Sequence, residues 1–219
     1  MAQRNFDLIV FDWDGTLMDS TAAIAESLQA ACADLGLAVP PRELASHVIG
    51  LSLMGAVQTV APGLDEAGCQ KLVERYRYHF LARDHELVLF EGVRDLLDEL
   101  REQGRLLAVA TGKARRGLDR VLEQSGLAAC FDATRCADES FSKPHPAMLL
   151  ELMDELLVPP ERTVMIGDTT HDLLMARNAG TPAVAVSHGA HPVDALAAEA
   201  PLAVLGSIAD LRAWLACHG

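Results

Sequence analysis

The chain has 219 residues, half of them apolar and 22% charged, a composition that excludes disordered and fibrous classes and leaves length enough for a sizeable core. Its formal net charge is −13, with 18 lysines and arginines in all; that excludes nucleic acid as an expected partner, because such binding rests on cations displacing condensed counterions. Cys32, Cys69, Cys130, Cys136 and Cys217 form no C-x-x-C pair, so neither a disulfide framework nor a structural zinc site is expected, and a reducing compartment, the cytoplasm, is.

Met1–Asn5 runs straight into Phe6-Asp7-Leu8-Ile9-Val10-Phe11, too short and too soon acidic for a secretory apolar region, and no run is long enough to span a bilayer. Leu8 to Phe11 is a continuous apolar run with β-branched members and predicts a strand buried on both faces. From about Met18 to Leu89 only helical patterns appear, with turn signals at Pro40-Pro41, Gly50 and Pro62-Gly63; this stretch predicts an all-helical insertion. Val93, Leu96, Leu97 and Leu100 before Gly104 then predict a helix, and Leu106 to Ala110 a strand. Leu118, Val121 and Leu122 before Gly126 predict the next helix, and Phe131 to Cys136 a less regular strand. Met148, Leu149, Leu152, Met153 and Leu156 ahead of Pro159-Pro160 give another helix, followed by strands at Thr163 to Ile166 and Ala183 to Val186. Strand alternating with helix implies an α/β fold with a doubly wound parallel sheet covered on both faces.

The polar residues fall where these strands end. Asp12-Trp13-Asp14-Gly15-Thr16 closes the first strand, at the edge where an open parallel sheet binds ligands. Alternation along the strand turns Asp12 and Asp14 to one side and Trp13 to the other, and Gly15 permits a tight turn with amides free to face an anion. Two buried neighbouring carboxylates repel, and a cation is the simplest remedy. Gly167-Asp168-Thr169-Thr170-His171-Asp172 repeats the arrangement after a later strand and offers two more oxygen ligands to a hard divalent ion. Thr111-Gly112 offers a hydroxyl and an unhindered amide to a phosphate oxygen. Lys143 precedes Pro144 near the start of a helix.

Each signal has a plainer reading. D-x-D-G-T can be a polar strand-to-turn junction, Asp172 a helix cap, and Lys143 a solvated surface lysine. His171-Asp172 suggests metal phosphohydrolases with an adjacent His-Asp pair, but those draw their other ligands from helices, and the context here is strand to turn. His188 and His191 lack further ligands for zinc and read as a polar loop. His47, Arg42, Lys71 and Arg75 lie on charged helices and read as solvated.

In order along the chain, Asp12-x-Asp14-Gly15-Thr16, Thr111, Lys143-Pro144 and Gly167-Asp168-x-x-x-Asp172 resemble the four motifs of the haloacid-dehalogenase superfamily. The position of the helical insertion is similar to that of the phosphoglycolate-phosphatase-like branch. The resemblance implies a Rossmann-like core of residues 1–17 and 90–219 with a helical cap domain of residues 18–89. It also implies a Mg2+-dependent phosphatase acting on a small phosphorylated metabolite through a phosphoaspartate. Asp12 is then the nucleophile and a metal ligand, and Asp14 the general acid and base, its backbone carbonyl also binding the metal. Thr111, Gly112 and Lys143 hold the phosphoryl group, Asp168 binds the metal, and Asp172 supports it through water. Trp13 replaces the usual aliphatic residue and Ser142 stands where a glycine commonly precedes the lysine. Haloacid dehalogenases and phosphonoacetaldehyde hydrolases lack an acid at the place of Asp14. A sugar phosphate mutase of the same fold retains it, and a phosphorylation-switched receiver or silent binding module is the alternative outside enzymes. Monomer and homodimer are equally compatible with the sequence.

Overall fold

The computed structural model describes residues 6–218; Met1–Asn5, and with them the reading of the start of the chain, lie outside the described residues. In chain order the elements are β1 (Leu8–Phe11), β2 (Met18–Asp19), α1 (Thr21–Asp34), α2 (Arg42–His47), α3 (Leu53–Val60), α4 (Glu66–Ala82), β3 (Val88–Leu89), α5 (Val93–Glu102) and β4 (Leu106–Thr111). There follow α6 (Arg115–Ser125), β5 (Ala133–Cys136), α7 (Ala147–Leu156), β6 (Thr163–Gly167), α8 (Thr170–Ala179), β7 (Ala183–Val186), α9 (Val193–Ala198), β8 (Val204–Leu205) and α10 (Ile208–His218). The main sheet runs β5-β4-β1-β6-β7-β8 with every pairing parallel. From the central β1 the chain fills one side of the sheet with β4 and β5 and then the other with β6 to β8, so the switch point lies at the end of β1.

Alternation along β1 explains why its whole run is apolar. Ile9 and Phe11 join Leu107, Val109, Val164 and Ile166 against Leu97, Leu118 and Leu211 of α5, α6 and α10. Leu8 and Val10 face the other way, with Ala108, Ala110 and Met165 against Met148, Leu152 and Leu173 of α7 and α8. Both faces are therefore covered, and each fully buried large aliphatic side chain contributes about 1.5–3 kcal/mol.

Helices α1–α4 bury their own apolar stripes. Ala31, Cys32, Val57, Leu72 and Val73 form one cluster, and Ala25, Leu28, Ala45, Val48 and Ala56 another. Side-chain caps start two of them: Ser52 Oγ accepts from Gly55 N–H and Asp65 Oδ1 from Gly68 N–H at 3.2 and 2.8 Å. The expectation of an all-helical insertion needs one correction. Its two ends, β2 and β3, pair antiparallel, Met18 with Leu89 and Asp19 with Val88, and two-residue strands are too short to show alternation in a sequence. Beyond the last predicted strand the structure adds α9, β8 and α10.

Candidate active site

The carboxyl ends of β1, β4 and β6 place most of the residues singled out from the sequence. The Asp12 amide donates to Ile166 O at 2.9 Å, extending the ladder by one bond. Trp13 is fully buried, edge-on to Phe131. Gly15 has φ +79°, and a Cβ there would lie 2.2 Å from Asp168 Oδ2, so the turn needs glycine both for its hand and for the close approach. Thr16 Oγ1 then donates to Asp168 Oδ1 at 2.8 Å, and the Ala190 amide to Oδ2 at 2.7 Å.

Asp12, Asp168 and Asp172 bring carboxylate oxygens within 4.8 Å of one another, all buried. Lys143 Nζ lies 2.8 Å from Asp12 Oδ1 and 2.6 Å from Asp172 Oδ1. Asp172 Oδ2 also accepts from the Thr169 amide and hydroxyl in a capping box at the start of α8. Asp12 Oδ2 is buried with no protein partner. Three carboxylates against one ammonium leave two negative charges uncompensated. Burial, opposed by Lys143 and reinforced by Asp172 and Asp14, pushes Asp12 up to about 7. Burial and then the Asp12 and Asp172 charges raise Asp168 well above the carboxylate range. Burial disfavours the Lys143 ammonium, but the same two aspartates outweigh it and raise its pKa. A buried all-oxygen donor set with one orphaned carboxylate oxygen and two charges in excess fits a hard divalent cation.

Asp14 stands apart from that trio. Its Oδ1 accepts from Ser20 Oγ at 2.6 Å, and its Oδ2 lies 2.9 Å from Lys113 Nζ. The buried carboxylate cluster is thus formed by Asp12, Asp168 and Asp172, while the Asp14 carboxylate lies apart from it, on the side of helix α4. There burial, with the Asp14 charge, raises the Tyr76 phenol, and Phe80 stacks on Tyr76. Thr111 is buried, and its Oγ1 accepts from the Lys113 amide at 3.2 Å, which leaves its O–H free to donate. Gly112 packs under the loop between α2 and α3, where a Cβ would meet Leu51 O at 2.4 Å and Gly50 O at 2.5 Å. Ser142 does not displace Lys143; its Oγ accepts from the Ser52 amide at 2.9 Å, tying the same loop to the core.

The histidines resolve differently. His191 Nδ1 accepts from the Thr170 amide at 3.0 Å, so its Nε2 carries the hydrogen and donates to His47 O at 3.1 Å. His171 Nε2 reaches the same carbonyl at 2.8 Å. Burial lowers both, His191 to about 4, with the His171 charge adding to it. The three rings group closely, yet the Nε2 of His191 is committed as a donor, so the group works as a clasp on α2 rather than a cation site. His188 Nε2 donates to Thr16 O at 3.2 Å, and its ring lies tilted against Phe90 with the centroids 4.2 Å apart. Arg42 and Arg75 pair with Glu26 and Asp34 at the exposed surface, and Lys71 is exposed. Sequence reasoning missed Lys113, Ser20 and the Ala190 amide; Lys113, two residues past Thr111 at a strand end, carried the one signal that position alone could have supplied.

Residues 9–186 match the family described as haloacid dehalogenase-like hydrolase. The chain is 36% identical to the probable phosphatase IndB of Dickeya dadantii, over 93% of this chain and 91% of that one. It is 33% identical to a phosphoglycolate phosphatase of Agrobacterium fabrum, over 83% and 81%. It is also 33% identical to a 5'-nucleotidase of Pseudomonas aeruginosa, over 99% of each. The crystal structure of a predicted phosphatase from Clostridium acetobutylicum superposes with a TM-score of 0.84 at 25% identity, covering 96% of this chain and 98% of that one. With the sheet order, the acidic trio at the switch point and this match across most of the length in agreement, the chain belongs to the haloacid dehalogenase-like hydrolases.

Proposed function

We propose that the protein is a magnesium-dependent, cytoplasmic phosphatase that hydrolyses a small phosphomonoester of the phosphoglycolate kind through a phosphoaspartate on Asp12. The observation that carries this reading is the contrast between two aspartates: Asp12, buried beside Lys143 with Oδ2 unengaged, and Asp14, held by Ser20 and Lys113 on the side of α4. No helix among the described residues is long and apolar enough to cross a membrane. The names of the relatives support phosphate-ester hydrolysis while differing in substrate.

In the first displacement an Asp12 oxygen attacks phosphorus, the bond from phosphorus to the leaving oxygen breaks, and Asp14 gives its proton to that oxygen. In the second, water attacks the phosphoaspartate, Asp14 takes the water proton, and phosphate departs as the Asp12 carboxylate re-forms. Lys143 and the Thr111 hydroxyl hold the equatorial oxygens, where the transition state spreads its charge. Asp12, Asp168 and the Asp14 backbone carbonyl would hold Mg2+, with support from Asp172, and the ion would supply charge neutralisation and orientation. Residues 18–89 serve as a cap whose loop at Gly50–Ser52 closes over residues 1–17 and 90–219.

The test is phosphate release by the purified protein from a panel of phosphorylated metabolites, with Mg2+ and with chelator, beside the two asparagine variants. Asp12→Asn forms no adduct with any substrate. Asp14→Asn cleaves alkyl phosphates poorly but accumulates a phosphoryl adduct from an activated aryl phosphate, read by intact-protein mass spectrometry. Wild-type turnover in chelator, or alkyl phosphate cleavage by Asp14→Asn at the wild-type rate, overturns these assignments.

A further inference from the structure

The leaving-group side of the site carries a cation that phosphoryl transfer as described does not use. Lys113 follows Thr111 and Gly112, and its backbone is fixed on both sides: the amide donates to Thr111 Oγ1, and the carbonyl accepts from the Ala137 amide at 3.0 Å. Its Nζ lies 2.9 Å from Asp14 Oδ2 with both side chains nearly buried, 11% and 12% exposed, and 5.1 Å from the centre of the Phe80 ring on α4. A pair shielded this far gains little net stability, because desolvating both ions offsets their attraction. Stability alone therefore gives a poor reason for an ammonium at this point.

Charge is also divided by position. Lys143, between Asp12 and Asp172, serves the phosphoryl end. Lys113 lies beside the carboxylate assigned to the leaving oxygen, under the wall formed by Tyr76 and Phe80. A neutral alcohol departing past Asp14 has no use for that ammonium; an alcohol with its own negative charge a short chain away forms a charge-assisted contact with it. We propose that Lys113 is a specificity-determining residue that selects substrates whose leaving group carries a second anionic group, a carboxylate or a second phosphate. This rests on the phosphatase reading above for which side of the site the leaving group occupies.

Binding separates the two ideas, because it needs no turnover. In the Asp12→Asn protein with Mg2+, calorimetry compares 2-phosphoglycolate with 2-hydroxyethyl phosphate, which differ in a carboxylate against a hydroxymethyl. A hexose 1,6-bisphosphate is compared with the 6-phosphate in the same way. The charged member of at least one pair is expected to bind about ten- to a hundredfold tighter, the range of one hydrogen bond to a charged group. Adding Lys113→Met brings that ratio to near one and Lys113→Arg preserves it; Lys113→Gln replaces the Met variant if that one does not fold. Collapse in the first pair alone identifies a carboxylate, and in the second alone a phosphate. A purely structural lysine shifts both members of a pair together. Ratios near one with Lys113 in place, or ratios unchanged by its removal, overturn the proposal. If the wild-type protein cleaves neither these esters nor an activated aryl phosphate, the phosphatase reading fails while the binding ratio still decides the role of Lys113.

Discussion

Raising the pH in the presence of a chelator strips protons from a site with too few cations to hold the resulting charge. Asp12 is held at about 7 against an ordinary 3.8, about three units at about 1.4 kcal/mol each. For a carboxyl raised in the folded state, the stability is present below the ordinary value and lost as the pH climbs through the folded one. Metal-free protein should thus lose up to about 4 kcal/mol from this group between roughly pH 4 and 7, and Asp168, raised in the same sense, deepens the loss. His171 and His191 act the other way: both are lowered, so their contribution is present above the ordinary 6.5 and lost as the pH falls. The measurement is accordingly a difference, urea unfolding with Mg2+ minus urea unfolding with chelator at each pH, in which the histidines largely cancel. The gap should be small at pH 5 and widen towards pH 8 by as much as about 1.4 kcal/mol per unit for each proton the metal displaces. A gap that stays constant from pH 5 to 8 would refute the argument that the trio's excess charge is what the metal neutralises.

Two further substitutions probe how the site is held. Gly112→Ala puts a methyl group into the carbonyls of Gly50 and Leu51; backbone that close has to move, so the change should cost about 1–3 kcal/mol in urea unfolding and, by displacing the loop, cut kcat/KM by about a hundredfold, and wild-type kinetics would show that the contact does not position anything. Thr169→Val removes the hydroxyl that caps α8 and holds Asp172 Oδ2; it should cost about 1 kcal/mol of stability and weaken Mg2+ binding measured by calorimetry, an outcome absent if Asp172 is held well enough by the Thr169 amide alone.

Much of the core was legible because parallel strands covered on both faces are written as unbroken apolar runs: Leu8–Phe11, Leu106–Ala110, Thr163–Ile166 and Ala183–Val186 all became strands. Three of the four motifs were legible for the same reason, since each follows such a run; Lys143-Pro144 follows none and was legible only from its order among the others. What stayed hidden depends on where distant segments meet. Met18–Asp19 and Val88–Leu89 are too short for any period. Lys113 reads as one more surface lysine until Asp14 and Phe80 are placed beside it. The hold on Asp168 from Ala190 is a backbone amide, which no residue type announces. His47 meets His171 and His191 across 124 and 144 residues of chain, a separation over which spacing carries no information.

The short ribbon of β2 and β3 has a consequence for how such a protein can be altered. Because Met18 and Leu89 are direct partners, the chain leaves the sheet domain and returns to it at neighbouring points, about 5 Å apart as paired strands are. Any replacement segment whose ends meet at that spacing can be grafted there without re-routing the backbone that carries Asp12. The helical segment is in this sense a cassette, exchangeable in the laboratory or by recombination, except that Ser20, one residue past the ribbon, must come with it or Asp14 loses the hydroxyl it rests on.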